Sequence, residues 1–128
     1  MDTDKFSKLV VLAMANLPAE FRQLLDNVDI VVEKWPSPEK IKAMGLKSKW
    51  DLLGLYEGVP QTQRTQAYNL VLPDKITIYQ KPIESRCRSL TGLKREITRT
   101  VRHEIAHHFG LSDTRLRQIE RWRKEKQY

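Results

Sequence analysis

The chain has little cysteine, little glycine and no long apolar run, and each scarcity excludes a class of protein. The single cysteine, Cys87, cannot form an internal disulfide, which excludes a disulfide-stapled secreted domain. No hydrophobic run reaches the roughly 20 residues that a membrane-spanning helix needs. Five glycines and six prolines in 128 residues exclude collagen-like and low-complexity chains. We therefore expect one globular domain over residues 1–128.

An apolar stretch near the start, Leu9 to Ala15, imitates a signal peptide. It is short, however, and the segment before it carries Asp2 and Asp4 instead of a positive excess. The spacing of its apolar residues predicts one face of an amphipathic helix: Phe6, Leu9, Val10, Ala13 and Leu17. We therefore expect a cytoplasmic protein that does not associate with membranes.

The net charge of +7 is concentrated in the last third of the chain. Residues 1–85 hold 11 basic and 11 acidic side chains, whereas residues 86–128 hold 12 basic and 5 acidic ones. A helix around Trp122 would carry much of this charge, on Arg115, Arg117, Arg121, Arg123, Lys124 and Lys126. Such a surface can recruit an anionic partner, or it can simply keep a small protein in solution.

The most informative feature is the run from His103 to Asp113, His-Glu-Ile-Ala-His-His-Phe-Gly-Leu-Ser-Asp. On a helix, His103 and His107 project from one face about one turn apart, so their imidazoles can bind one ion. Glu104 follows the first histidine, where a carboxylate can reach a metal-activated water without binding the metal. This pattern predicts a hydrolytic site with one zinc ion, Glu104 as the catalytic residue, and His103 and His107 as metal ligands.

The helical context of this motif is itself predicted by the sequence. Apolar residues recur every three or four positions along the segment, at Leu90, Leu93, Ile97, Val101 and Ile105. Ser89 can cap the start of the helix and Gly110 can end it in a left-handed conformation. The two histidines then lie on a different face from the apolar stripe, together with Glu96 and Thr100.

The third zinc ligand is less certain than the first two. A turn at Gly110 can bring Asp113 back to the ion and leave a fourth position for water, so Asp113 is the predicted third ligand. Asp113 can also cap a following helix. The alternatives are His108, on another face of the same helix, and Glu120 or Glu125 further along the chain.

The motif resembles the extended zinc-binding signature of the zincin superfamily, in its variant with aspartate in place of a third histidine. The chain as a whole is similar to the small single-domain zincin-like metallopeptidases of bacteria. The resemblance extends over Leu17-Pro18, the segment from Leu55 to Pro60 and the segment from Leu72 to Tyr79. It implies a compact zincin fold, zinc held by His103, His107 and Asp113, and Glu104 as the general base.

The remaining elements are read more coarsely. Strands are predicted at Val28 to Glu33, Leu52 to Tyr56, Tyr68 to Leu72 and Lys75 to Gln80, and short helices after Pro18 and from Ser37 to Met44. The fold class is therefore α+β, a small mixed sheet packed against the motif helix and the terminal helices. The strand from Lys75 to Gln80 is the candidate for an edge strand that pairs with a peptide substrate. The alternatives are an interior strand or an edge covered by a loop.

These features favour a zinc-dependent metallopeptidase that hydrolyses peptide bonds with a metal-activated water, acting on a peptide or protein substrate. Tyr56 and Tyr79 could donate to a developing oxyanion, but they are not included in the predicted site. The alternative is a metal-dependent protein that binds or processes nucleic acid through its basic last third. Glu104 favours peptide chemistry.

Overall fold

A computed structural model describes residues 1–58 and 73–110 of the chain. In these ranges it contains five α-helices, α1 (Thr3–Ala15), α2 (Ala19–Leu24), α3 (Pro38–Ala43), α4 (Gln80–Glu84) and α5 (Leu90–Phe109). A short 3₁₀ helix, Lys49–Asp51, follows α3. The strands are β1 (Val28–Glu33), β2 (Gly54–Glu57) and β3 (Asp74–Tyr79). The predicted α+β class is confirmed.

The three strands form one mixed sheet in the order β1-β3-β2. Strand β1 runs parallel to β3, with Ile30 opposite Ile76, and β2 runs antiparallel to β3, with Gly54 opposite Ile78. Strand β3 is therefore the central strand, and the prediction of an edge strand at Lys75 to Gln80 is wrong. Its last four residues are all buried, because a central strand has cover on both faces.

Helix α5 carries the predicted motif and contacts most of the other elements, namely α1, α2, α4, β2 and β3. The predicted apolar stripe is confirmed from Leu93 onward: Leu93, Ile97, Val101 and Ile105 are buried. Leu90, its first predicted member, is 53% exposed because it lies in the first turn, before the helix reaches the core.

Both ends of α5 form as the sequence predicts. Ser89 caps the start, since its side chain accepts a hydrogen bond from the backbone N–H of Gly92 at 3.0 Å. Gly110 ends the helix with φ 66° and ψ 30°, and its N–H donates to the carbonyl of Ala106. A residue with a Cβ would be strained in this left-handed conformation.

The N-terminal helices complete the core. Helix α1 buries the predicted face, Phe6, Leu9, Val10 and Ala13, and Leu17 and Phe21 follow it into the same cluster. These side chains pack with Ile76 and Ile78 of β3 and with the stripe of α5. The motif helix is thus held from one side by helices and from another by the sheet. None of the helices in the described ranges is both long and apolar enough to cross a bilayer.

Candidate metallopeptidase site

The two predicted histidine ligands and the predicted general base all lie on helix α5. His103 and His107 are exposed, one helical turn apart, and Glu104 is partly buried between the helix and β2. His103 and Glu104 line the same cleft. His107 follows one helical turn after His103 on the same helix.

The cleft beside these residues has a volume of about 500 Å³. One wall comes from the chain that enters β2, at Leu52, Leu53 and Gly54. The other comes from α5, at Glu96, Thr100, His103 and Glu104. This confirms that Glu96 and Thr100 share a polar face with His103. Side chains of both signs, Asp51, Arg86 and Arg99, complete the lining.

The helix meets β2 along a row of residues spaced four apart, Thr100, Glu104 and His108. Gly54 packs so closely on this row that a Cβ there would lie 2.7 Å from Thr100 Cγ2 and 3.5 Å from Glu104 Cγ. Only glycine allows this approach without a shift of the strand or the helix. The close approach brings the backbone of β2 within reach of Glu104.

Glu104 is held by the backbone of β2. The N–H of Tyr56 donates a hydrogen bond to Glu104 Oε2 at 3.1 Å. Within residues 1–58 and 73–110, no other hydrogen bond to this carboxylate is formed. One oxygen is therefore fixed by the strand, while Oε1 has no donor from the described residues and can take part in proton transfer.

Burial raises the pKa of the Glu104 carboxyl group above its ordinary value of 4.5. The Tyr56 N–H and the charge of His107 act in the opposite direction, because both stabilise the carboxylate. A carboxylate with a raised pKa holds a proton more firmly than an exposed glutamate does. It is therefore better suited to accept one at moderate pH.

His108 lies against β2 instead of beside the other two histidines. Its ring stacks on the ring of Tyr56, with centroids 3.8 Å apart and planes at 13°. Its Nε2 lies 3.9 Å from Asp74 Oδ2. The hydroxyl of Tyr56 donates to the same Asp74 oxygen at 2.8 Å, so Tyr56 is bonded to the start of β3 and the His108 ring lies close to it.

The predicted third ligand, Asp113, lies outside the described residues, as do the alternatives Glu120 and Glu125. Among residues 1–58 and 73–110, no group of three or more His, Cys, Asp or Glu side chains is arranged to hold a metal ion. Of the predicted ligands, the structure describes His103 and His107, which lie one helical turn apart on α5. Two imidazoles at this spacing suit zinc, which needs at least one further ligand from elsewhere.

Comparison with known families decides the classification. A family model described as zincin-like metallopeptidase matches residues 25–123, more than half of the chain. The chain belongs to the zincin-like metallopeptidase family. Among curated proteins, none matches the chain. Family membership implies zinc binding and hydrolase chemistry in general terms. The matched residues do not include helix α1, although this helix packs on α5.

In this zincin-like chain, side-chain motifs alone do not reveal what surrounds the site. The donor to Glu104 is a main-chain N–H, which any residue other than proline supplies, so Tyr56 carries no signal for it. Gly54 did carry a signal, because a glycine inside a strand often marks the close approach of another segment. Neither tyrosine serves as a free donor here: the Tyr56 hydroxyl is bonded to Asp74, and Tyr79 is fully buried.

Proposed function

We propose that this zincin-like metallopeptidase is a zinc-dependent peptidase in which Glu104 is the general base. The observation that carries the proposal is the setting of Glu104. Its carboxylate is partly buried, fixed through Oε2 by the N–H of Tyr56, and placed at a cleft that His103 also lines. Family membership supports the reaction class.

His103 and His107 would hold the zinc ion together with Asp113. When bound, zinc supplies a Lewis acid that polarises a peptide carbonyl and lowers the pKa of water. The placement of His108 supports Asp113 over His108 as the third ligand, since His108 Nε2 lies 3.9 Å from Asp74 Oδ2 and, among the described residues, the three histidines do not form a group that could hold a metal. Gly110 in the left-handed conformation supports a change of chain direction just before Asp113.

Glu104 has two tasks in this proposal. It accepts a proton from the attacking water and then transfers that proton to the departing amine nitrogen. Its fixed Oε2 keeps the carboxylate from rotating away, so that Oε1 stays aimed at the reacting atoms.

The substrate would lie in the cleft between β2 and α5. Strand β2 has β3 on one side, and in the described ranges no strand pairs with its other side. A peptide in extended conformation could align with this side of the strand, close to Glu104. The mixed charges of the cleft, from Asp51, Arg86, Glu96 and Arg99, do not favour substrates of one sign.

The experiment compares wild type with Glu104→Gln after both are loaded with zinc. Both proteins should hold about one zinc ion per chain, since Glu104 is not a ligand. Wild type should cleave quenched fluorescent peptides or labelled casein, and the variant should lose cleavage by a factor of about 100 or more. Glu96→Gln is the matched control, because Glu96 lies on the same helix and cleft but two turns away, and it should keep activity of the same order.

Full activity in Glu104→Gln would refute the assignment of the base. Loss of zinc from that variant would instead show that Glu104 is needed to hold the metal ion. No contact among the described residues supports the nucleic-acid alternative. The basic side chains from Arg115 to Lys126, on which that alternative depends, lie outside the described residues. Salt-sensitive cleavage of RNA or DNA, with none of peptides, would replace the proposal by that alternative.

A further inference from the structure

Tyr56 contacts several residues around the site, in addition to its pairing in strand β2. Its N–H donates to Glu104, its hydroxyl donates to Asp74, and its ring stacks on His108. The ring of Phe109 also meets it edge-on, with centroids 6.1 Å apart. One residue thus joins β2 to the start of β3 and to the last turns of α5.

These contacts fix the Tyr56 side chain at both ends. The hydroxyl is anchored 2.8 Å from Asp74 Oδ2, and a charged acceptor makes this bond stronger than one between neutral groups. The ring is held flat against His108 at 3.8 Å. Since the side chain cannot rotate without losing one of these contacts, the backbone of Tyr56 is fixed with respect to α5.

The fixed backbone carries the hydrogen bond to the general base. A small shift of β2 away from α5 would lengthen the 3.1 Å bond between Tyr56 N and Glu104 Oε2. Catalytic geometry is sensitive to displacements of about 1 Å, which can cost on the order of 100-fold in rate. The orientation of Glu104 therefore depends on contacts that the Tyr56 side chain makes away from the carboxylate.

We propose that Tyr56 is a positioning residue for Glu104, and that the pair Asp74 and His108 holds the Tyr56 side chain so that its backbone N–H orients the carboxylate. The inference rests on the proposed peptidase function for its catalytic consequence. The hydrogen bond from the Tyr56 N–H to Glu104 does not depend on that function. Tyr56 acts through Glu104 and is not a catalytic residue.

The central variant is Tyr56→Phe, which removes the hydroxyl and keeps a ring that can stack on His108. Tyr79→Phe is the matched control: it removes a hydroxyl from the neighbouring strand, one that is fully buried and makes no hydrogen bond to Glu104, Asp74 or His108. Asp74→Asn keeps an oxygen that can accept from Tyr56, whereas Asp74→Leu does not. Together, the four variants distinguish loss of the hydrogen bond between Tyr56 and Asp74 from loss of any tyrosine hydroxyl and from loss of the Asp74 charge.

The first measurement follows the Tyr56 amide by hydrogen exchange in the full-length protein. Exchange should accelerate about tenfold or more in Tyr56→Phe and in Asp74→Leu, because a weakened hydrogen bond opens more often. It should stay close to the wild-type rate in Tyr79→Phe and in Asp74→Asn. Glu104→Ala should also accelerate it, which shows that the carboxylate is the partner.

The second measurement is cleavage of labelled casein by the same zinc-loaded variants. In Tyr56→Phe and Asp74→Leu, kcat should fall about tenfold, as expected when a supporting contact of a catalytic group is lost. KM and zinc content should stay within about twofold, because the ligands and the cleft walls are unchanged. Asp74→Asn should keep most of the wild-type kcat, because asparagine still offers an oxygen to the Tyr56 hydroxyl.

Three results would overturn the proposal. One is wild-type kcat and wild-type amide exchange in Tyr56→Phe. The second is an equal loss of kcat in Tyr79→Phe, which would mean that general destabilisation is responsible. The third is an inactive wild type, which would refute the peptidase function and any catalytic role of Tyr56. Even then, amide exchange would show whether Asp74 anchors the strand, so the two failures are distinguishable.

Discussion

Gly54→Ala is the substitution that most directly tests how β2 packs on helix α5. The added Cβ would lie 2.7 Å from Thr100 Cγ2, whereas carbon atoms in favourable contact are about 3.5–4.0 Å apart. The strand and the helix would have to separate by about 1 Å. Overpacking of this kind typically costs about 1–3 kcal/mol.

The opposing effect in Gly54→Ala is small. Gly54 does not have a positive φ, so alanine can adopt its backbone conformation. Replacing a glycine by alanine at such a position would by itself stabilise a protein by about 0.4–1 kcal/mol. We therefore expect a net decrease of about 1–2 kcal/mol in the free energy of unfolding.

Thr100→Ser supplies the compensating change, because serine lacks the Cγ2 methyl that the new Cβ would meet. Serine keeps the hydroxyl that donates to the carbonyl of Glu96 at 2.8 Å. Alone, it should cost about 0.8 kcal/mol for the lost methyl. In the double variant the two changes should be less harmful than their sum, by about 1 kcal/mol. Recovery is incomplete because the Thr77 carbonyl oxygen lies 3.2 Å from the new Cβ.

Urea unfolding of wild type, both single variants and the double variant measures this coupling. The metal-free proteins should be used, so that zinc binding does not add to the stability. Additive costs with no coupling, or a stability of Gly54→Ala equal to that of wild type, would refute the packing described for β2 and α5.

The other predictions concern Glu104 and the metal ligands. In metal-free protein at pH 7, Glu104→Gln should raise Tm, because glutamine keeps an acceptor for Tyr56 and avoids burying a charge. Since burial raises the pKa of Glu104, the advantage should appear above pH 4.5 and shrink as the pH falls below that value; a lower Tm at pH 7 would contradict this. His107→Ala should abolish zinc binding, whereas His108→Ala should keep it, and calorimetric titration distinguishes the two. Asp113→Asn should weaken zinc binding more than Glu120→Gln, and the reverse order would make Glu120 the third ligand.

Much of the helical structure could be predicted from the sequence, because helix α5 and helix α1 each carry a stripe of apolar residues at helical spacing. Strand β1 was predicted with the bounds that the structure has, and α3 ends one residue before the predicted Met44. These elements are determined by local patterns and caps. Their prediction needs no knowledge of the residues that pack on them.

The position of β3 in the sheet could not be predicted, since strand order depends on pairing between distant segments. Both faces of β3 are covered, so even the polar Thr77 is fully buried. The predicted strand also extended one residue too far, to Gln80, which begins helix α4. Pro82 fits in the first turn of α4 because the N–H that it lacks would have no partner there.

For the site, the sequence predicted a polar face of α5, and the structure places His103 and Glu104 at one cleft, with Glu96 and Thr100. The role of Asp113 stays a prediction, as does the single domain over residues 1–128. What could not be predicted is the attachment of Glu104 to β2. It depends on a main-chain donor at Tyr56 and on the missing side chain of Gly54, and neither of these belongs to a metal-binding motif.

Zinc titration of the metal-free protein tests the central claim most directly. Wild type should bind about one zinc ion per chain, and His103→Ala should weaken binding by more than about 100-fold, beyond what loss of an outer contact costs. A wild type that binds no zinc, or a His103→Ala variant that binds it as tightly as wild type, would contradict the claim that this helix carries a metallopeptidase site.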